Sequence, residues 1–142
     1  MILDTTYFLP IVGIEIEPDI LKACLDGRTR FSLDDVRLSL ISIFELQAKA
    51  AKLGVKAERV SKGVRTIFQV FDVIEFHRPD IVRISFELRK EFPDYIDCII
   101  VATAISLGED LLTEDRLIHG LKDSVERKYG IKIYSHKDML EP

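Results

Sequence analysis

Short apolar runs alternate along this chain with longer stretches of helical spacing, and that alternation limits the folds open to it more than any other feature. "MILD" at Met1 to Asp4 is an apolar run closed by an acid, "VRLSL" at Val36 to Leu40 alternates like a strand, and "VIEF" at Val73 to Phe76 is again apolar. "DLLT" at Asp110 to Thr113 and "IKIY" at Ile131 to Tyr134 complete the set. Between them lie helical segments with recognisable ends: Pro18 opens "DILKACLDG", which stops near Gly27, and Ser42 to Gly54 ends on a glycine. Ala57 to about Phe71 continues as a helix, Pro79 opens an amphipathic helix to about Glu91, and "DYIDCIIVATA" from Asp94 runs on to Leu107 before Gly108. A short helix is expected after Thr113. Buried strands alternating with helices build a parallel sheet covered on both faces.

With 142 residues, 47% of them hydrophobic, the chain suffices for one core and is short for two. No repeat, low-complexity tract or linker divides it, so we read one domain over 1–142. Cys24 and Cys98 lie far apart in apolar surroundings with no metal-ligand spacing, which suits buried free thiols in a reducing cytoplasm. Asp4 interrupts the first apolar residues and no basic residue precedes it, so no export signal is expected. The longest apolar run, Cys98 to Leu107, is about half of the roughly 20 residues of a membrane span. A net charge of −4 argues against a domain that holds nucleic acid mainly through one large positive surface.

In an open parallel sheet, ligands bind beyond the carboxyl ends of the strands, where the strand order reverses. Four acids are expected at that edge: Asp4 ends the first strand, Asp115 lies two residues past Thr113, and Glu45 and Asp97 each sit in the first turn of a helix. Brought together uncompensated, they would raise one another's pKa values unless a cation lay among them. Oxygen donors without His or Cys suit a hard ion, Mg²⁺ or Mn²⁺. Each acid has a plainer explanation as well. Ser42 and Glu45 form the S-x-x-E of a capping box, Asp94 and Asp97 a near relative of it, and Asp115 has the position of a helix cap. Asp4 is the hardest to explain that way, because an acid closing a central apolar strand is costly to bury unpaired.

"ILDTTYF", "SIFEL", "DYIDCIIVATA" and "GEDLLTED", in this order and spacing, resemble the PIN domain, in particular the VapC-like ribonuclease toxins, over essentially the whole chain. The resemblance implies a three-layer α/β/α fold with a five-stranded parallel sheet, and cleavage of single-stranded RNA dependent on Mg²⁺ or Mn²⁺. It puts Asp4, Glu45, Asp97 and Asp115 in the places of the family's four acids, Thr113 in that of the Ser/Thr before the last acid, and Thr6 in that of a small polar residue after the first. Cys98 stands where the family usually has alanine, and Asp94 where a neutral residue is usual; Asp94 is either a helix cap or an additional acid around the site. The resemblance also implies a cytoplasmic homodimer and a small antitoxin protein as partner, whose peptide would lie in a groove near Phe68, Val70 and Phe71.

Lys49, Lys52, Lys56, Arg59, Lys62 and Arg65 recur every three or four residues after Glu45, either as a phosphate-tracking stripe or as an ordinary solvated helix face. A receiver-like phosphate-binding module would also cluster acids at a sheet edge, but it needs adjacent acids after the first strand, where this chain has Thr5-Thr6. A PIN-like domain without cleavage activity is the remaining alternative, and the intact set of acids weighs against it.

Overall fold

Ile2–Leu3 (β1) lies at the middle of a five-stranded sheet in a computed structural model that describes residues 1–142. The other strands are Arg37–Ser39 (β2), Asp72–Ile74 (β3), Leu111–Leu112 (β4) and Ile133–Tyr134 (β5), in the order β3-β2-β1-β4-β5. Every pairing is parallel: Ile2 is opposite both Arg37 and Leu111, and Leu112 opposite Tyr134. The order reverses between β1 and β4, so the crevice expected of such a sheet lies beyond Leu3 and Leu112.

Successive strand residues point to opposite faces, and the two faces carry separate cores. Leu3, Leu38 and Leu112 pack with Phe8, Val12, Ile20, Leu46 and Ile67, from helices Ile20–Leu25 (α1), Leu40–Lys52 (α2) and Ala57–Val70 (α3) and the segment after β1. Ile2, Leu111 and Ile133 pack on the other side with Ile81, Leu88, Phe92, Ile100 and Val101, from Pro79–Leu88 (α4), Tyr95–Leu107 (α5) and the turn between them. Helices thus cover both faces of the sheet.

Helix α5 is apolar on all sides and buried from Cys98 through Ala104, which suits a helix packed between the sheet and α4. Asp94 caps its start by accepting the Ile96 N–H at 2.8 Å, and Gly108, at φ 63°, ends it in the left-handed conformation. Gly63 sits inside α3, where glycine costs about 1 kcal/mol relative to alanine. Close packing explains it: a Cβ there would stand 2.6 Å from the Ile11 carbonyl oxygen.

Four elements differ from the sequence expectation. Thr5–Val12, to which the sequence assigned nothing, winds as a 3-10 segment capped by Asp4 and closed by Gly13. Helix α2 begins at Leu40 rather than Ser42, because Ser39 caps it by accepting the Ile41 N–H at 3.2 Å. The helix after Thr113 is two, Arg116–Gly120 (α6) and Lys122–Tyr129 (α7), and a last turn, His136–Met139 (α8), follows β5. Phe71, expected with Phe68 and Val70 beside a groove, is instead buried edge-on against Phe8 with ring centroids 5.4 Å apart, whereas Phe68 and Val70 are exposed. Both cysteines are free and buried, and no helix is long and apolar enough to cross a membrane.

Candidate active site

Asp4 leaves the carboxyl end of β1 with both oxygens engaged. Oδ1 accepts the Thr5 N–H at 2.7 Å, as a cap does, and Oδ2 accepts the Thr113 hydroxyl at 2.6 Å across from the end of β4. Thr113 Oγ1 in turn accepts the Asp115 N–H at 3.0 Å, and Asp115 Oδ1 accepts the Ile118 N–H at 3.0 Å to cap α6. One chain of hydrogen bonds therefore fixes two of the four acids to each other across the switch point. Burial raises the Asp4 pKa above the usual carboxylate range, the bonds from Thr113 and Thr5 pull it back, and the Asp115 charge raises it again.

The earlier start of α2 alters the standing of Glu45. With Leu40 as the first helical residue, Glu45 lies in the second turn and Ser42 in the first, so S-x-x-E is no capping box here. Instead the Thr5 hydroxyl lies 2.5 Å from Glu45 Oε1 and 2.9 Å from Ser42 Oγ. A hydroxyl has one proton to give. It goes to the carboxylate, and Ser42, fully buried, returns its own to Thr5. Burial raises the pKa of Glu45; the Thr5 bond and Lys49, one turn further along the helix, lower it, while Asp4 and Asp94 raise it.

Asp97, in the first turn of α5, makes no hydrogen bond and no ion pair: the cap belongs to Asp94. Its carboxyl group is pushed up to about 7, first by burial and then by the charges of Asp115, Asp94, Asp4 and Glu45. Asp97 thus opens α5 on the side of the edge where Thr113 joins Asp4 to Asp115 and Thr5 holds Glu45, and it feels the charges of all three. No lysine, arginine or histidine forms an ion pair with any of them.

Thr6, expected beside the first acid, is half-buried and makes no side-chain hydrogen bond; the hydroxyl that reaches the acids is that of Thr5. The sequence contained that signal only as "TT", which leaves open which threonine turns inward. A third contact was not expected. Glu114 Oε1 accepts from the Tyr7 hydroxyl at 2.8 Å and from His136 N and Nδ1 at 2.6 Å, tying together the segments that follow β1, β4 and β5. Burial opposes ionisation of Glu114, but the bonds from His136 and Tyr7 prevail and hold its pKa low.

The donor set fits a hard divalent cation by its chemistry, being all carboxylate with no cationic counterpart. Asp97, Glu45 Oε2 and Asp115 Oδ2 have no protein partner and are free to turn toward such an ion. In their present rotamers no three of these side chains converge closely enough to grip one, so binding would draw them inward.

The sequence matches the family model of the PIN domain over residues 1–122. A comparison with curated proteins finds no match. Among solved structures, the chain is similar to a toxin-antitoxin complex from Klebsiella pneumoniae, at 24% identity and a TM-score of 0.63 over 84% of this chain and 91% of that one. It is also similar to VapBC2 from Rickettsia felis bound to a DNA fragment from their promoter, with 18% identity, a TM-score of 0.63 and coverage of 94% and 96%. FitAcB from Neisseria gonorrhoeae is 21% identical, with a TM-score of 0.61 and coverage of 94% and 95%. At these identities the likeness is one of fold.

Proposed function

Since this chain belongs to the PIN-domain family, we propose that it is a Mg²⁺- or Mn²⁺-dependent endoribonuclease that cleaves single-stranded RNA, and the toxin of a toxin-antitoxin pair. The observation that carries this reading is the hydrogen-bonded run from Asp4 through Thr113 to Asp115 at the switch point, with Glu45 held by the neighbouring Thr5 and none of these acids in an ion pair. Purely structural acids would be paired or exposed.

When bound, a divalent ion supplies charge neutralisation and Lewis acidity for phosphodiester hydrolysis. The protein's own residues prepare for it. Thr113 and Thr5 hold Asp4 and Glu45 by their hydroxyls, so those oxygens need little reorganisation. Asp97 is carried on a buried helix and is the acid with the fewest protein bonds, which leaves its oxygens for ligation. Lys49, one turn past Glu45, is the cation whose charge Asp4 and Glu45 feel, and it can meet a substrate phosphate. Lys52, Lys56, Arg59, Lys62 and Arg65 are exposed beyond it and can continue that attraction.

Of the neighbours above, one is by its own description a toxin-antitoxin complex and another is bound to a DNA fragment from its promoter. In this chain a groove of about 410 Å³ runs between α2 and α3, lined by Ala51, Val55, Val60 and Val64. We assign it to an antitoxin segment. Phe44, Phe68 and Val70 on the same two helices, and Leu53 just past the end of α2, are exposed and offer area for homodimer formation. Cleavage of single-stranded RNA by the purified chain in Mn²⁺, compared with EDTA, tests the activity. Cleavage that persists in EDTA overturns the metal dependence, and no cleavage in either overturns the nuclease. Light scattering across a dilution series tests the dimer, and a monomer throughout overturns it.

A further inference from the structure

Thr113 is held on two further sides besides its bond to Asp4. Its N–H donates to the Tyr134 carbonyl at 3.0 Å, and His119 Nε2 lies 2.7 Å from its carbonyl oxygen. Glu114, the next residue, adds a tie that runs through none of the four acids. Its Oε1 accepts the Tyr7 hydroxyl at 2.8 Å, and the backbone N–H and Nδ1 of His136 at 2.6 Å. Tyr7 is buried and stands one 3-10 turn past Asp4, whose carbonyl accepts its N–H at 3.3 Å. Residues 4–7 and 113–115, which carry the clamped acids, are therefore joined twice: once at Asp4 by Thr113, and once at Tyr7 by Glu114. A single hydrogen bond fixes one distance and lets the two segments pivot about it. The second bond removes the pivot, and a site that must hold its oxygens within a fraction of an ångström depends on such support.

We infer that Glu114 is a positioning residue of the acidic site: by holding Tyr7 and His136 it fixes the angle between the segment after β1 and the segment after β4, and through them the separation of Asp4 from Asp115. Glu114 has that role only if the acids hold a metal ion, as the nuclease reading requires, and it touches neither ion nor RNA itself. It serves as an acceptor, so its shape matters and its charge does not. A glutamine carbonyl oxygen accepts the same hydroxyl and the same backbone N–H. A ligand acid differs, since its negative charge is what it gives to a hard cation. Tyr7 is the other half of the tie, and its hydroxyl has one proton, which goes to Glu114.

Glu114→Ala, Glu114→Gln, Tyr7→Phe and the double variant Tyr7→Phe/Glu114→Ala test it. The first measurement needs no metal: hydrogen exchange in EDTA of the Asp115 amide, which donates to Thr113 Oγ1. In Glu114→Ala and Tyr7→Phe it is expected to accelerate about tenfold more than the amides of α5, which report opening of the whole fold, and in Glu114→Gln to stay as in wild type. Mn²⁺ binding without RNA, followed by calorimetry, is expected to weaken about tenfold in Glu114→Ala and Tyr7→Phe and to hold in Glu114→Gln. On single-stranded RNA, kcat is expected to fall about tenfold in the same two variants with KM unchanged. The double variant is expected to match Glu114→Ala, because both changes remove one tie. Glu114→Gln as impaired as Glu114→Ala overturns the positioning role and makes Glu114 a ligand. Asp115 and α5 amides that accelerate equally overturn it in favour of a contribution to stability alone. Wild-type Mn²⁺ binding and kcat in Glu114→Ala overturn it too and leave the nuclease standing. A wild type that binds Mn²⁺ but cleaves no RNA, with binding weakened in Glu114→Ala, keeps the positioning role and ends the nuclease; a wild type that binds no Mn²⁺ ends both.

Discussion

The two halves of the acidic edge are built differently. On the β1–β4 side, Asp4 and Asp115 are bound to each other through Thr113, and each also caps the element that follows it. On the helical side, Glu45 has a single bond, from Thr5, and Asp97 has none. The clamped pair commits three of its four carboxylate oxygens to the protein and gains fixed position; the free pair commits one and remains costly to ionise. A site for a metal ion needs both, one part to set geometry and one to supply unsatisfied charge. The following experiments break or sharpen that division.

The largest effect is expected from Asp97→Asn. Asn is nearly isosteric, keeps Asp94 as the helix cap, and removes the carboxylate that has no protein role. RNA cleavage in Mn²⁺ is expected to fall by about two to three orders of magnitude or more. In EDTA above pH 7 the variant is expected to melt higher than wild type, because the burial and repulsion that push Asp97 up to about 7 are relieved. A variant that cleaves as well as wild type would return Asp97 to a structural role.

Thr113→Val tests the clamped side. The hydroxyl that Asp4 Oδ2 accepts is lost while the volume stays. Cleavage is expected to fall about 10- to 100-fold, as is usual when a group that orients a ligand is removed. Unlike Asp97→Asn, it is expected to lower metal-free stability, by about 1–3 kcal/mol, since a partly buried carboxylate oxygen loses its donor. If both variants shifted stability in the same direction, the two halves would not differ in the manner described.

Proton linkage gives a third measure. The folded-state pKa of Asp97, about 7, lies above its unfolded value, and those of Asp4 and Glu45 are also raised. The folded chain therefore holds protons more tightly than the unfolded chain, and stability in EDTA is lost as pH rises from about 4 to about 7. The melting temperature of the wild type is expected to fall across that window more than that of Asp97→Asn. Mn²⁺ is expected to reverse the loss, and more at pH 7.5 than at pH 5.5, where protons compete for the same oxygens. A wild type and Asp97→Asn pair with parallel profiles would place Asp97 in ordinary solvent.

Much of this architecture was legible. The five strand runs, their parallel pairing and the helices between them follow from short apolar runs separated by helical spacing, and the acids at strand ends were visible as exceptions to that apolarity. Thr5–Val12 was not, because "TTYFLPIV" has the composition of a strand and the Pro10 of a breaker; it winds only because Asp4 caps it and α3 packs against it at Gly63. The start of α2 was misplaced because two serines three apart can both cap, and the choice of Ser39 is made by the end of β2. That shift turned Glu45 from a cap into a residue held by Thr5, a contact 40 positions apart in sequence that no local pattern contains. Tyr7, Glu114 and His136 meet for the same kind of reason, at the ends of three neighbouring strands.

The smallest effect is expected at Asp94, which stands at the rim of both halves. Its Oδ1 caps α5 through the Ile96 N–H, and it is exposed. Its charge is nonetheless felt by Asp97, after burial and Asp115, and by Glu45, after burial, Thr5, Asp4 and Lys49. Asn caps about as well as Asp, so Asp94→Asn is expected to leave the melting temperature near wild type, whereas Asp94→Ala costs about 1 kcal/mol. Losing an exposed like charge relieves Asp97 by a fraction of a pKa unit, because such charges are screened. The acid limb of the cleavage rate against pH is therefore expected to move slightly downward in Asp94→Asn, and to return to the wild-type position in high salt. A metal ligand would behave otherwise: the rate would collapse as it does for Asp97→Asn, half-saturation by Mn²⁺ would move to higher concentration, and salt would restore neither. That outcome would make Asp94 a fifth acid of the site and enlarge the free half at the expense of the cap.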